Sequence, residues 1–160
     1  RIDEIIEAGE PLLVSKAPFS PNHVKPGGTP KKVKNLLSRA TYGLPTYEDA
    51  TLESRALFGD EAFDYPKPEG LLRFLLHSVT QPGDWVLDAF AGSGTTGAVA
   101  QKMGRQWVMV ERGPHCKTHV VRRLAQVVDG ADPGGVTQAV GWQGGGGFRF
   151  YEIVTPGRSG

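Results

Sequence analysis

The sequence predicts an α/β fold in which helices pack on a mostly parallel sheet in three layers. Two apolar runs, at residues 84–90 and 106–111, have the composition of buried strands, and a helix-compatible run at 98–103 lies between them. This order of strand, helix and strand is typical of a unit whose two strands are parallel neighbours.

The composition is that of a globular domain. The chain has 160 residues, of which 39% are hydrophobic and 22% charged, enough for one domain with a core. The net charge is only +1, so total charge neither indicates nor excludes a nucleic-acid partner. Cys116 is the sole cysteine, which excludes an intrachain disulfide and predicts a reducing, cytoplasmic location.

Two observations concern targeting and processing. No apolar run approaches the length of a membrane span, and the first residues lack a signal-peptide pattern, so we expect no membrane partner. The chain begins with Arg1 rather than methionine, and we interpret it as a piece of a longer protein.

The first 60 residues form a segment rich in basic residues, proline and glycine, which we expect to be largely irregular. Residues 2–7 have helix-like content, and residues 11–14 predict a brief strand. No acidic residue occurs between positions 11 and 47, where the basic residues are Lys16, Lys25, Lys31, Lys32, Lys34 and Arg39. Such a segment could follow the phosphates of a nucleic acid or be a solvated loop, and composition leaves both open.

Helices are predicted on both sides of the first parallel strand. Residues 46–58 have helix-like content with Thr46 or Thr51 as cap and Gly59 as stop. Pro68 suits the first turn of a helix that runs to about residue 79. Its apolar positions form one broad face, which we expect to pack on the sheet; they are Leu71, Leu72, Leu75, Leu76 and Val79.

The second half of the chain predicts one more helix and two strands. A helix follows Gly113-Pro114 to about residue 128, with Lys117, Arg122 and Arg123 on a solvated face. Residues 136–142 predict a short strand. Residues 148–154 predict a second, antiparallel one near the sheet edge, because aromatic and β-branched residues favour strands. The four glycines before it favour a hairpin turn over a phosphate loop, which would need lysine and serine or threonine.

The turn after the first parallel strand is the strongest candidate for a ligand site. Gly92, Gly94 and Gly97 match G-x-G-x-x-G, a pattern shared by several nucleotide-binding turns. Asp88 stands at the end of the strand, four residues before Gly92. Its carboxylate would repel a pyrophosphate and attract the ammonium and sulfonium of S-adenosylmethionine. The acid therefore favours the methyl donor over a dinucleotide.

Glu111, at the end of the next strand, is a second candidate. An acid at that point can accept hydrogen bonds from both ribose hydroxyls of a nucleoside, and the alternative is an acid that caps the following helix. Tyr65 could stack on an adenine and Lys67 could pair with a ligand carboxylate, or both could be ordinary helix-entry residues. A zinc site at His115, Cys116 and His119 is not favoured, because no second cysteine or nearby carboxylate completes it.

Two motifs carry a family resemblance. Phe63-Asp-Tyr-Pro-Lys-Pro68 followed by Asp88-Ala-Phe-Ala-Gly-Ser-Gly-Thr-Thr96 resembles the adenosylmethionine-binding half of amino-group DNA methyltransferases, in particular the modification subunits of type III restriction systems. The resemblance covers about residues 50–154. It implies a Rossmann-like methyltransferase sandwich, incomplete in this chain, at residues 61–154. Residues 1–60 would then trail the target-recognition region, and residues 155–160 would be a tail.

The resemblance also implies site residues, a cofactor and partners. The donor, S-adenosyl-L-methionine, would be bound by the residues that match the motifs, which are Asp64, Tyr65, Lys67, Pro68, Asp88, Ala89, Phe90, Gly92, Ser93, Gly94, Thr95, Thr96 and Glu111. The partner would be double-stranded DNA, methylated on the exocyclic N6 of adenine in a base flipped out of the duplex. A restriction subunit or a second copy of the chain is a further expected partner.

The chain departs from the family pattern in one respect. Family members carry an Asp/Asn/Ser-Pro-Pro-Tyr/Phe loop that binds the target amino group, and this sequence contains no Pro-Pro pair. We therefore assign no catalytic residue and no metal ligand here. Cytosine-N4 methylation, a non-catalytic adenosylmethionine-binding module and a nicotinamide oxidoreductase are the alternatives.

Overall fold

The computed structural model describes residues 12–16, 19–24, 30–32, 37 and 39–153, and within these ranges it contains two small sheets. The first is antiparallel, in the order β1 (Leu12–Lys16), β2 (Phe19–Val24) and β3 (Pro30–Lys32). The second is a parallel pair, β4 (Trp85–Asp88) and β5 (Gln106–Met109), in which Trp85 lies opposite Gln106. The predicted parallel pairing of the two central strands is therefore confirmed.

Helices are more extensive than strands in the described chain. They are α1 (Arg39–Tyr42), α2 (Tyr47–Phe58), α3 (Glu69–Val79), α4 (Thr95–Lys102), α5 (Arg122–Val128) and α6 (Thr137–Val140), with a 3₁₀ turn at Gly59–Glu61 and a π-helix at Cys116–Val121 that runs into α5. No helix in the described ranges has the length and apolar content that crossing a membrane requires.

Local signals fix the ends of two predicted helices. The Thr46 N–H donates to Asp49 Oδ2 at 2.7 Å at the start of α2, and Gly59, with φ of 62°, follows its last residue. Pro68 is the N-cap of α3, where its missing N–H leaves no donor unsatisfied. Both predicted helices are therefore confirmed.

One face of the parallel pair is packed and the other is exposed. On the packed face, Val86 of β4 contacts a core cluster that contains Leu76 of α3 and Val99 of α4. On the opposite face, Trp85 and Leu87 are 66% and 71% exposed. The described residues thus form a mixed α/β fold consistent with a methyltransferase, whereas the predicted three-layer sandwich is not seen in full among them.

The structure corrects both predicted strands at the carboxyl end. Residues 137–140 are helix α6, because Val136 is buried in the core and Val140 N–H donates to its carbonyl. Residues 148–153 form no strand in the described part of the chain, and residue 154 lies outside it. Phe148 instead packs its ring 6.0 Å from that of Trp107. Strand propensity measures how well side chains fit a pleated surface. Here the Phe148 side chain packs against the Trp107 ring without a paired strand.

The glycine run before residue 148 is not a hairpin turn. Gly145 N–H donates to the carbonyl of Val128 at 2.7 Å, which ties the run to the end of α5. The prediction of an irregular first segment also differs from the structure, since β1, β2 and β3 all lie within it. The predicted helix at residues 2–7 lies outside the described residues.

Four buried charged side chains join the helices, and the sequence did not indicate them. The Lys102 ammonium lies 2.8 Å from Glu69 Oε2 and 2.7 Å from Asp132 Oδ2, and Arg123 Nη2 lies 2.9 Å from Glu69 Oε1. All four side chains are at most 3% exposed. The prediction that Arg123 lies on a solvated face is therefore wrong, because its guanidinium pairs with a carboxylate inside the fold.

Glu69 pairs with both cations of this buried ion cluster. Burial alone would raise the pKa of Glu69, but Arg123 and Lys102 together outweigh burial, and its pKa is lowered. Glu69 Oε2 also accepts the Val136 N–H at 3.0 Å. Gly135, with φ of 58°, leaves no room for a Cβ beside the Glu69 carboxylate, so the loop can approach only because it carries glycine there.

We expect Lys102→Met to destabilise the chain by about 3–5 kcal/mol, because it leaves two buried carboxylates without their shared cation. Urea unfolding followed by circular dichroism measures this free energy. The matched control is Lys117→Met, whose ion pair with Glu152 is exposed and should contribute about 1 kcal/mol or less. Equal losses for the two variants would contradict a structural role for the cluster.

Candidate functional site

The turns after β4 and β5 meet at one edge of the parallel pair, because parallel strands end on the same side. Two backbone hydrogen bonds join them beyond the strands themselves. Val110 N–H donates to the Asp88 carbonyl at 2.8 Å, and Ala91 N–H donates to the Val110 carbonyl at 3.0 Å. The two acids predicted at the strand ends therefore stand at a common edge.

The Asp88 carboxylate faces the turn that follows it. Its Oδ2 accepts a hydrogen bond from Thr96 Oγ1 at 2.6 Å, and its Oδ1 accepts one from the Phe90 N–H at 3.0 Å. Asp88 is partly exposed. Since each carboxylate oxygen can accept about two hydrogen bonds, each oxygen of Asp88 keeps capacity for a ligand.

Glu111 connects the two turns. Its Oε2 accepts the Gly92 N–H and its Oε1 accepts the Gly113 N–H, both at 2.8 Å. His115 Nε2 lies 3.2 Å from Oε1. The backbone hydrogen bond from Gly113 lowers the pKa of Glu111, with further contributions from Gly92 and His115 that outweigh its desolvation. The Gly92 bond joins the two turns, whereas the Gly113 bond lies within the turn after β5. The N-cap residue of the π-helix makes no side-chain capping bond.

Each glycine of the G-x-G-x-x-G pattern meets a separate constraint. Gly92 and Gly94 have φ of 55° and 79°, a region in which a side chain is strained. Gly97 lies in α4, where a Cβ would overlap the side chain of Met109. The third glycine therefore leaves room for the end of the Met109 side chain, while the first two shape the turn.

Ser93 and Thr95 point into the protein. Their hydroxyls lie 3.1 Å apart, and Arg123 Nη1 donates to Thr95 Oγ1 at 2.9 Å. Both residues are buried, at 5% exposure each. Only their backbone groups can face a ligand, whereas Phe90, which is 89% exposed, is open to solvent.

The segment before α3 adds an aromatic side chain that the sequence did not single out. The Phe63 ring lies beside Gly92, at 3.8 Å from where a Cβ would stand, and meets the His115 ring at a centroid distance of 5.2 Å. Tyr65 is instead 75% exposed and has φ of 55°, an uncommon conformation for a bulky residue. Lys67 Nζ donates to the Tyr65 carbonyl at 3.1 Å.

Phe63 and His115 adjoin Gly92 and Glu111 at this edge, and sequence reasoning assigned neither of them to the site. The available signals were weak: Phe63 opens the matched motif, and His115 follows Glu111 by four positions. Among the described residues, no group of three or more histidine, cysteine, aspartate or glutamate side chains could hold a metal ion. His119 Nε2 lies 2.7 Å from the Glu61 carbonyl.

The chain matches a known protein family over a range that includes this edge. Residues 25–122 match a family described as DNA methylase. The chain belongs to the DNA methylase family. The match includes β4, its glycine turn, β5 and Glu111. Membership implies a methyl donor of the S-adenosylmethionine type, and the acceptor capacity left on Asp88 and Glu111 is compatible with its positive charge and its ribose.

This DNA methylase chain is similar in sequence to two curated proteins. It is 49% identical over 88 residues to the probable type III restriction-modification enzyme HindVI Mod subunit of Haemophilus influenzae, a match to 55% of this chain and 12% of that protein. It is 47% identical over 57 residues to type II methyltransferase M.XycI of Xanthomonas campestris pv. cyanopsidis, covering 36% of this chain and 19% of that protein. The chain spans less than a fifth of each relative.

We expect Glu111 to make the stability of this DNA methylase chain depend on pH. Because its pKa is lowered in the fold, its contribution is present above the ordinary value of 4.5 and is lost as the pH falls through the folded pKa. The free energy of unfolding of the wild type should exceed that of Glu111→Gln by about 1 kcal/mol at neutral pH. This difference should disappear well below pH 4.5. Urea unfolding across this range measures it, with the exposed Glu152→Gln as control. A gap that persists in acid would contradict the assignment.

Proposed function

We propose that this chain is the donor-binding part of a DNA methyltransferase that transfers a methyl group from S-adenosyl-L-methionine to the exocyclic N6 of adenine in a specific DNA site. The observation that carries the proposal is the pair of carboxylates, Asp88 and Glu111, held at one strand edge on either side of the glycine turn.

Electrostatics supports a cationic, phosphate-free ligand. Like charges repel by roughly 4 kcal/mol at 4 Å for an effective dielectric near 20, so a pyrophosphate beside Asp88 would be strongly disfavoured. The ammonium and sulfonium groups of the donor would instead be attracted. When bound, the donor supplies an electrophilic methyl group, and the residues of the chain bind and orient it.

The proposed roles follow the contacts at the edge. Asp88 and Thr96 form one hydrogen-bonded unit at the start of α4, and this unit would receive the methionine end of the donor. Glu111 would accept the ribose hydroxyls. Pro68, the buried N-cap of α3, would complete the pocket with the rest of the segment. The remaining residues that we assign to the pocket are Asp64, Tyr65, Lys67, Ala89, Phe90, Gly92, Ser93, Gly94 and Thr95.

The proposed substrate and partners rest on the family and on the names of the relatives. A DNA methylase acts on a base that is extruded from the duplex, because the exocyclic nitrogen is otherwise held in the stack. The similarity to a type III Mod subunit supports adenine as the target and a restriction subunit as a partner, and we propose a second copy of the chain as the alternative partner.

We expect Asp88→Asn and Glu111→Gln each to weaken adenosylmethionine binding about tenfold, since each removes the charge that the ligand contacts. Isothermal titration calorimetry on the whole chain measures the affinity. Asp129→Asn, an exposed acid after α5, is the control and should bind as wild type does. Tighter binding of NADH than of adenosylmethionine would refute the proposal.

We also expect the 160-residue chain to transfer no methyl group to duplex DNA by itself, because it has no Pro-Pro-aromatic loop to hold the target base. Incubation with tritiated adenosylmethionine and plasmid DNA, followed by counting of the DNA, measures transfer. Incorporation above that of the Asp88→Asn variant would contradict this expectation.

A further inference from the structure

The environment of Glu111 allows its hydrogen-bonding capacity to be counted. A carboxylate offers about four acceptor sites, two on each oxygen. Gly113 N–H takes one site on Oε1, and Gly92 N–H takes one on Oε2. His115 Nε2 lies 3.2 Å from Oε1, so the imidazole fills the space from which a second donor would approach that oxygen. One site on Oε2 is therefore left for a ligand.

A ribose needs more than that single site. Its two neighbouring hydroxyls bind a carboxylate best when each oxygen accepts one of them. The two backbone donors are fixed by the turns that they belong to, whereas the imidazole of His115 is a side chain that is 31% exposed. The group able to leave is thus His115.

The imidazole of His115 packs against Gly113, Phe63 and Glu111. Its ring lies across Gly113, where any Cβ would overlap it. It also meets the edge of the Phe63 ring, and the Glu111 side chain beneath it is only 13% exposed. The imidazole therefore covers the carboxylate that the ligand must reach.

We propose that His115 occupies the second ribose site of Glu111 and must be displaced before the donor can hold both hydroxyls. His115 is then a specificity-determining residue. While it is present, a ligand that lacks one ribose hydroxyl loses less binding affinity than it would without His115. This inference rests on the proposed function, because it concerns the way Glu111 receives the ribose.

Two variants of the whole chain test the inference by calorimetry with S-adenosylmethionine. His115→Phe keeps a ring against Phe63 and removes the ring nitrogen that lies 3.2 Å from Glu111 Oε1, while His115→Ala removes the ring as well. We expect both to bind about threefold to tenfold more tightly than wild type, the range that one net hydrogen bond supplies. Thermal melting verifies that each variant is folded.

The matched control is His119→Phe. His119 also contacts the Phe63 ring, at 5.4 Å, but its hydrogen bonds go to Thr118 and to the Glu61 carbonyl. Its replacement should leave the affinity for adenosylmethionine unchanged. An equal gain in this control would overturn the inference, because relief of ring packing would then explain the effect.

Analogues of adenosylmethionine that lack the 2′- or the 3′-hydroxyl provide a second readout. In wild type, His115 can return to the vacated site, so the loss in affinity should be small. In His115→Phe the site stays empty, and the loss for one of the two analogues should be several-fold larger. The difference between the two losses in affinity measures the coupling between His115 and that ribose hydroxyl.

The outcomes separate the inference from the proposed function. If wild type binds and both variants bind equally or more weakly, His115 orients Glu111 and the inference fails alone. If folded wild type and folded variants all fail to bind adenosylmethionine, the proposed function fails for this chain and the inference falls with it. Tighter binding with the larger hydroxyl dependence supports both.

Discussion

The buried ammonium of Lys102 is the interaction on which the arrangement of helices depends. It stands at the last residue of α4 and pairs with Glu69 at the first residue of α3 and with Asp132 in the loop after α5. Buried charges are tolerated only when they are paired and hydrogen-bonded. Three separate parts of the chain must therefore reach their native positions together, and none can move without exposing an unpaired charge to an apolar interior.

The same cluster supports the candidate site from behind. Arg123 pairs with Glu69 and also donates to Thr95 at the start of α4. The glycine turn is thus held on its inner side by the ion cluster and on its outer side by Glu111, through the Gly92 N–H. Ligand-facing groups that are fixed from both sides lose little freedom when a ligand binds.

The features that sequence reasoning predicted are local. Thr46, Gly59 and Pro68 act within a few residues of their own positions, and Asp88 and Glu111 stand at the ends of apolar runs, so spacing and residue type are enough to place them. The ion cluster joins residues 30 to 54 positions apart, and no short pattern marks such partners. The strand prediction for residues 148–153 was wrong for a related reason. A strand needs a neighbouring strand to pair with, and the composition of one segment does not show whether that neighbour exists.

The π-helix at Cys116–Val121 has a consequence for how the site tolerates change in chain length. His115 stands just before it and His119 lies four positions later, so the two side chains share one face and both rings meet Phe63. Deleting one residue from this stretch would restore ordinary α-helical winding, in which each residue advances by about 100°. One histidine would then rotate off the aromatic ring, so the register of this single turn keeps the imidazole over Glu111.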